Sequence, residues 1–396
     1  MVYNLFILFL EKAILIGSFL NFKKAKRRKE IILTQNNSYN ISPNIWCHCA
    51  SAGEFEQVIP LLKNLKHKTN LPLTVSFFSP SGYDFHQNNN LIDRIILLPI
   101  DTKQNSKKII TQINPAFCIW VKKEFWSNLL QEIKRNKIKN YLVNYNGNES
   151  KTFFYSFFEQ HQLQYFEQVF QTNEIIFPRP IIIASKNTKW DSVKDLVQNK
   201  IAFENISKWT NNQFTIILGS CWEQEIGFVS QFKERNLNIF NQIKWVFAPH
   251  NIENEFTNKH FRDLNPILFN SNELSTNNNC LLINKLGILK FIYQYSHLSI
   301  IGGGFKNGIH NILEPAAYGF PILFGPKHNK FEEADILIKN GLGIEINNYS
   351  DFELYTISFF NRYLKNDLLS INFLETFVNQ FNSAKEIETR ILNSHN

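Results

Sequence analysis

Short, continuous apolar runs recur along the chain and alternate with segments of helical period. Ile45–Cys49, Leu73–Phe78, Ile95–Pro99, Phe117–Val121, Phe214–Leu218, Trp245–Phe247, Leu298–Ile301 and Phe320–Phe324 are each short, apolar and bounded by turn residues. Runs of that length with such flanks predict buried strands. Ile45–Cys49 leads into Ala50-Ser-Ala-Gly-Glu-Phe-Glu-Gln57 and a helix-like stretch, Val58 to Lys66. Leu298–Ile301 leads into Gly302–Gly304, Gly308 and an apolar-periodic segment from Asn311, before the strand at Phe320–Phe324. Strand, glycine turn, helix, strand is the repeating unit of a doubly wound α/β fold, in which ligands bind beyond the carboxyl ends of the strands. Lys151–Phe170, rich in Phe, Tyr and Gln, reads either as a helix on a sheet or as a greasy acceptor surface, and Leu364–Asn396 reads as partly helical.

The first 22 residues break this rhythm. Val2 to Phe22 is strongly apolar with Glu11-Lys12 in its middle, followed by Lys23, Lys24, Lys26, Arg27, Arg28 and Lys29. A spanning helix wants about 20 apolar residues and tolerates central charge poorly. No small-residue cleavage site follows, so a removed signal peptide is not expected. Three readings stay open: an anchor that spans or half-inserts, an interfacial helix, and an ordinary buried first helix. In the first two the basic run would lie on anionic cytoplasmic lipid.

Length and charge narrow the classes. At 396 residues with 44% hydrophobic content, two domains are expected rather than one. The net charge is +8, but six positive charges fall between Lys23 and Lys29, leaving the rest near +2. The basicity is therefore local, and no nucleic-acid partner is expected. Five cysteines in apolar segments suit a reducing compartment better than a disulfide framework. Neither Cys47-x-Cys49 nor any Asp-x-Asp pattern makes a metal site, so no metal and no cofactor is expected.

Candidate chemistry collects at the strand exits. Ser51, Gly53 and Glu54 follow the first strand, and Glu54 is either a reactive carboxylate or a first-turn acid complementing the helix dipole. Lys122, Glu124 and Trp126 follow the Phe117–Val121 strand, a set suited to a sugar or phosphate acceptor or to a solvated strand exit. The amides of Gly302–Gly304 and of the helix near Asn311 form a potential anion site, and Glu314 is a potential acceptor for sugar hydroxyls.

These motifs carry a resemblance. Gly-Gly-Phe-x-x-x-x-His-Asn-x-x-Glu-Pro (303–315), the later Gly325-Pro326 and Phe331-Glu-Glu-Ala334 resemble the signature of the 3-deoxy-D-manno-oct-2-ulosonic acid (Kdo) transferases. His48-x-x-Ser51-x-Gly53-Glu54, Lys122-x-Glu124-x-Trp126, Lys189-Trp-Asp191 and Gly219-Ser-Cys-Trp222 resemble further segments of that family, in the same order. The resemblance implies a GT-B fold: two Rossmann-like domains facing a central cleft, with an N-terminal membrane-associated helix. It implies boundaries of 1–22 for that helix, 23–185 for the acceptor domain, 186–370 for the CMP-Kdo-binding domain and 371–396 for a final helix packing back on the first domain.

The implied activity is inverting transfer of Kdo from CMP-Kdo to a lipid A precursor, without a metal, on the cytoplasmic side of a bacterial inner membrane. Glu54 and Glu124 are the implied catalytic pair, Glu54 as general base. Ser220, His250, Gly303, Gly304, Lys306, His310, Asn311 and Glu314 are implied for the donor, with the glycine turn facing the phosphate. Ser51, Gly53, Lys122 and Trp126 are implied for the acceptor, and Lys23, Lys24, Lys26, Arg27 and Arg28 for the membrane. Two departures stand out. Ala248-Pro-His250 lacks the arginine that many members carry, leaving Lys306, His310 or Lys327 to supply a cation, and Ile309 replaces a glycine. A GT-B enzyme using a UDP-sugar and a catalytically degenerate membrane-bound homologue are the competing readings.

Overall fold

The structure is a computed structural model that describes residues 2–20, 22–34, 42–147, 153–173, 179, 181–199, 201–250, 259–269, 274 and 277–395. The apolar run Ile175–Ile183 is interrupted by Pro178 and Pro180 in the sequence, and its residues 175–178 and 180 lie outside the described residues. The chain divides into two compact units, Met1–Ser192 with Asn379–Asn396, and Val193–Val378.

The first unit is built on strands β1 (Asn44–Cys49), β2 (Leu73–Phe77), β3 (Arg94–Leu97), β4 (Pro115–Val121), β5 (Lys139–Tyr145), β6 (Gln168–Gln171) and β7 (Ile182–Ala184). They form one parallel sheet in the order β3-β2-β1-β4-β5-β6-β7. Every residue of β1 is buried, as expected of a parallel sheet covered on both faces. Its side chains alternate: Ile45, Cys47 and Cys49 enter one core, and Trp46 enters the other. β4 does the same, with Phe117, Ile119 and Val121 on one side and Cys118 and Trp120 on the other.

The C-terminal helix Ser383–His395 belongs to this first unit. Its Ala384, Ile387 and Ile391 join the core that also holds Leu61 and Leu65 of the helix Ala52–Thr69. Each buried isoleucine contributes roughly 1.5–3 kcal/mol. Asp191 fixes the start of this helix, accepting the N–H of Asn382 at 2.6 Å and of Ala384 at 2.8 Å.

Two helices lead into the first unit, Val2–Phe19 and Lys23–Thr34, bent by 104° at their break. No described helix is long and apolar enough to cross a membrane by itself. The first nonetheless exposes Leu5, Phe6, Leu8, Phe9, Leu15, Ile16 and Phe19. Lys23, Lys24, Lys26 and Arg27 are exposed on the second, whereas Arg28 is buried. Arg28 therefore departs from the expected headgroup-facing cluster. Its guanidinium donates to the carbonyls of Phe78 (2.5 Å) and Leu98, and lies 4.4 Å from the Phe78 ring centroid.

The second unit repeats the architecture. Strands β8 (Thr215–Cys221), β9 (Lys244–Pro249), β10 (Ile267–Leu268), β11 (Cys280–Leu282), β12 (Leu298–Ile301), β13 (Ile322–Phe324) and β14 (Gly343–Glu345) pair in parallel in the order β10-β11-β9-β8-β12-β13-β14.

Asparagine has a structural task here. Of the eleven described non-glycine residues with positive φ, eight are asparagines, among them Asn70 and Asn114, which close helices in the left-handed conformation. The others are Lys137, Lys122 and Ser220. Lys122 and Ser220 lie at the carboxyl ends of β4 and β8, where backbone strain marks candidate sites.

Candidate active site

In the first unit, β1 and β4 deliver their C-terminal residues side by side. Ser51 is the N-cap residue of the helix Ala52–Thr69, though its hydroxyl makes no cap hydrogen bond. Glu54, in the first turn, folds back so that its Oε2 accepts the Ala50 N–H at 2.6 Å. Its Oε1 accepts no hydrogen bond among the described residues. Burial pushes the Glu54 carboxyl above the usual range, against the pull of Lys122 and the Ala50 amide, while Glu124 adds to the rise.

Glu124 is driven the other way. Burial would raise its pKa, but His48 and the Trp126 indole outweigh that and hold it below the ordinary value. Trp126 Nε1–H donates to Glu124 Oε2 at 2.9 Å, and His48 Nε2 lies 3.8 Å from the same oxygen. A chain of contacts fixes the orientation of the His48 ring. Trp46 Nε1–H, a donor only, gives its proton to Ser76 Oγ at 2.9 Å, and Ser76 Oγ is 2.8 Å from His48 Nδ1. The Ser76 hydroxyl, with one proton to give and two lone pairs, thus joins Trp46 to His48 Nδ1, and His48 Nε2 lies on the Glu124 side of the ring without a hydrogen bond among the described residues. Two neighbouring carboxylates with oppositely shifted pKa values are the arrangement by which one site separates proton-accepting from charge-holding roles.

Of the expected acceptor residues, Ser51 and Lys122 are partly buried and Gly53 is exposed at this strand end, while Trp126 is buried. Trp126 packs on Phe78 at 5.0 Å between ring centroids and serves Glu124, so it does not present a face to an acceptor. Ser76 escaped the sequence reading because a serine inside an apolar strand carries no motif.

The second unit arranges its residues differently from expectation. The glycines after β12 permit close backbone approach. A Cβ on Gly302 would stand 2.3 Å from the Ser220 carbonyl oxygen, and one on Gly304 2.6 Å from the Gly325 nitrogen. Gly303 has φ +91 and would meet the Gly308 carbonyl oxygen at 2.4 Å. The amides expected to face a phosphate are partly occupied: Gly302 N–H donates to Gly219 O at 3.0 Å, and Gly303 N–H to Glu225 Oε1 at 3.1 Å. The helix expected from Asn311 is a single turn, Leu313–Ala316. Asn311 caps it, accepting the Leu313 N–H at 3.1 Å and donating to Glu314 Oε1 at 3.0 Å. The amides of Gly302, Gly303 and Leu313 are thus bonded within the loop itself.

What the loops do bring together is an aromatic and cationic group. The Trp222 and His250 rings stack at 4.5 Å, as do His250 and His310. Trp222 Nε1–H donates to His310 Nε2 at 3.2 Å, and the Lys306 ammonium sits 4.9 Å from the Trp222 ring centroid. Burial, helped by His250, pushes His310 down to about 4, so its imidazole is neutral near pH 7. Lys327 donates to the Lys306 carbonyl at 3.0 Å. Lys306 is therefore the cation held over the stack, and His310 is not. Glu225, absent from the sequence expectations, lies beneath this group. It accepts the Trp222 N–H at 2.8 Å as well as the Gly303 N–H. Trp at the N-cap position hid it, because the capping-box pattern is read from Ser or Thr.

The family model for 3-deoxy-D-manno-octulosonic-acid transferase (kdotransferase) matches residues 21–179. A 3-deoxy-D-manno-octulosonic acid transferase of Aquifex aeolicus is 27% identical over 319 residues, 79% of this chain and 84% of the relative. One of Chlamydia trachomatis serovar D is 23% identical over 337 residues, covering 79% and 77%. A UDP-GlcNAc 2-epimerase from Neisseria meningitidis, solved with UDP-GlcNAc, superposes with a TM-score of 0.61 at 12% identity, over 88% of this chain and 100% of that one. The architecture is thus α/β and GT-B-like. The sequence likenesses support the Kdo transferase family and, with it, a glycosyltransferase.

Proposed function

We propose that the chain transfers Kdo from CMP-Kdo to a lipid A precursor, with inversion at the anomeric carbon and Glu54 as general base. The observation that carries this reading is the half-satisfied Glu54: one oxygen is fixed by the Ala50 amide, the other is open, and its basicity is raised by burial. A carboxylate so held takes the proton of the acceptor hydroxyl while that oxygen bonds to the anomeric carbon. The bond from that carbon to the CMP phosphate breaks, and CMP leaves with the electron pair. General-base assistance of this kind is worth roughly 10²–10⁴-fold in rate. Glu124, kept ionised, sets a negative charge beside the site and next to His48. Lys306 supplies the cation that the missing arginine would have given, meeting the phosphate or the Kdo carboxylate. Exposed apolar side chains on Val2–Phe19 and the exposed Lys23, Lys24, Lys26 and Arg27 fit an interfacial placement on the cytoplasmic side of an inner membrane, beside a lipid acceptor.

The test is a transfer assay with membranes, a tetraacylated lipid A precursor and CMP-Kdo, read by mass spectrometry. A mass gain of one or more Kdo residues, lost by about a hundredfold or more in Glu54→Gln, is the expected result. No gain with CMP-Kdo still bound would overturn the activity. Inhibition by UDP rather than CMP would move the reading to a UDP-sugar.

A further inference from the structure

The two N-terminal helices reach the site as well as the surface. Tyr3 donates its hydroxyl proton to Asp101 Oδ2 at 2.5 Å and accepts the Ser127 N–H at 3.2 Å. Asp101, just beyond β3, also accepts the N–H of Asn128 at 2.9 Å and of Leu129 at 3.0 Å, at the start of the helix Ser127–Arg135. Asn128 Nδ2 adds a bond to Asn4 Oδ1 at 2.8 Å. This junction follows directly on the segment that carries Lys122, Glu124 and Trp126. From the second helix, Arg28 clamps the carbonyls of Phe78 and Leu98 and lies on the Phe78 ring, and Phe78 in turn packs on Trp126. Two independent links therefore run from the helix pair to one short arm.

We propose that the N-terminal helix pair is a positioning element for the Glu124–Trp126 arm, Tyr3 fixing the arm's end through Asp101 and Ser127, and Arg28 fixing the floor beneath Trp126 through Phe78. The proposal rests on the reading of the Glu54–Glu124 site as the catalytic one. Trp126 holds Glu124 by a single hydrogen bond, so any slack in the arm moves that carboxylate relative to His48 and Glu54. A displacement near 1 Å at such a site costs up to about a hundredfold in rate. Neither Tyr3 nor Arg28 acts on the substrate itself. Their removal acts on turnover, in contrast to the removal of an exposed apolar side chain from the same helix, which acts on surface binding.

The test uses the full chain with Tyr3→Phe, which keeps the ring stacked on Phe158, and Arg28→Lys, which keeps charge but loses the forked donor. Two readouts are taken: kcat and acceptor KM, and the rate of tryptic cleavage after Lys122 and Lys123, with cleavage after the exposed Lys365 as a folding control. The expected result is cleavage in the arm several-fold faster in both variants, unchanged cleavage after Lys365, and kcat down about tenfold with acceptor KM unchanged. Unchanged cleavage in the arm would overturn the proposal, whatever the activity does. So would faster cleavage with unaltered kcat, or a loss carried entirely by KM. If one variant also speeds cleavage after Lys365, the other decides. A wild-type chain without Kdo transfer would sink the functional reading instead, and the cleavage rates would still decide whether the helices order the arm.

Discussion

Glu54 and Glu225 occupy the same place in the two units. Each sits in the first turn of the helix that follows a central strand, β1 or β8, and each folds back on the backbone at the strand exit. Burial raises the pKa of both. They differ in how far they are satisfied. Glu225 is 1% exposed and takes two amides, from Trp222 and from Gly303 across the loop. Glu54 takes one amide and leaves an oxygen open beside Lys122 and Glu124. One local device thus serves two ends. A fully bonded, buried carboxylate fixes a loop; a half-bonded one at the rim retains an oxygen for a proton. Position in the fold does not separate the two, but the count of occupied lone pairs does.

Exchange of each glutamate for glutamine sharpens the comparison. The largest effect is expected for Glu54→Gln, a loss of transfer of roughly 10²–10⁴-fold with a nearly unchanged thermal midpoint. Glu225→Gln should do the reverse. Its amide NH2 would face one of the two N–H groups, leaving a buried donor unsatisfied at a cost of about 1–3 kcal/mol. Calorimetry should show a midpoint lowered by roughly 2–10 °C. Equal midpoints for the two variants would break the comparison. A subtler effect is expected from Lys122→Met. As the proposed general base, Glu54 would work as the carboxylate, so transfer should fall as pH drops through its pKa. Burial lifts that pKa and Lys122 holds it down, so loss of the lysine charge moves the acid limb of kcat to higher pH. A limb that stays put or moves down would remove Lys122 from the electrostatics of Glu54.

The contrast between the units also shows what a sequence can carry. The strand–turn–helix rhythm was legible because parallel strands buried on both faces must be continuous apolar runs, as β1 and β4 are. Glu54 was legible because it is an acid in the first helical turn directly after such a run, at the strand end where ligands bind in these sheets. The glycine turn was legible only in part. Gly302–Gly304 signals close approach, but the pattern does not say whether a phosphate or another backbone approaches, and here Ser220 and Gly325 do. Tyr3 and Arg28 were invisible as site residues for a different reason. Their partners, Asp101 and Phe78, lie 98 and 50 residues away, and nothing local in an apolar helix or a basic run marks such a contact. Arg28 in particular was read with its exposed neighbours, because a charge run gives no sign of which member turns inward.

The smallest expected effect tests the same lesson on glycine. A methyl group on Gly53 would meet nothing within 4 Å, and the residue lies in the first turn of a long helix at ordinary φ. Alanine restricts the unfolded chain more than glycine does, so Gly53→Ala should stabilise by about 0.4–1 kcal/mol. On Gly304 the same methyl would stand 2.6 to 2.8 Å from three backbone atoms of Gly325, none of which can rotate away. Gly304→Ala should therefore destabilise, by about 1–3 kcal/mol as an overpacked site does. The pair of substitutions is chemically identical and differs only in what faces the Cα. Opposite signs in a denaturant titration would show that the glycine of the first unit leaves room beside Glu54 while that of the second is filled by the fold. If Gly53→Ala gained stability and also raised acceptor KM, the open space at Gly53 would be the acceptor's own; if KM held, that space would be solvent alone.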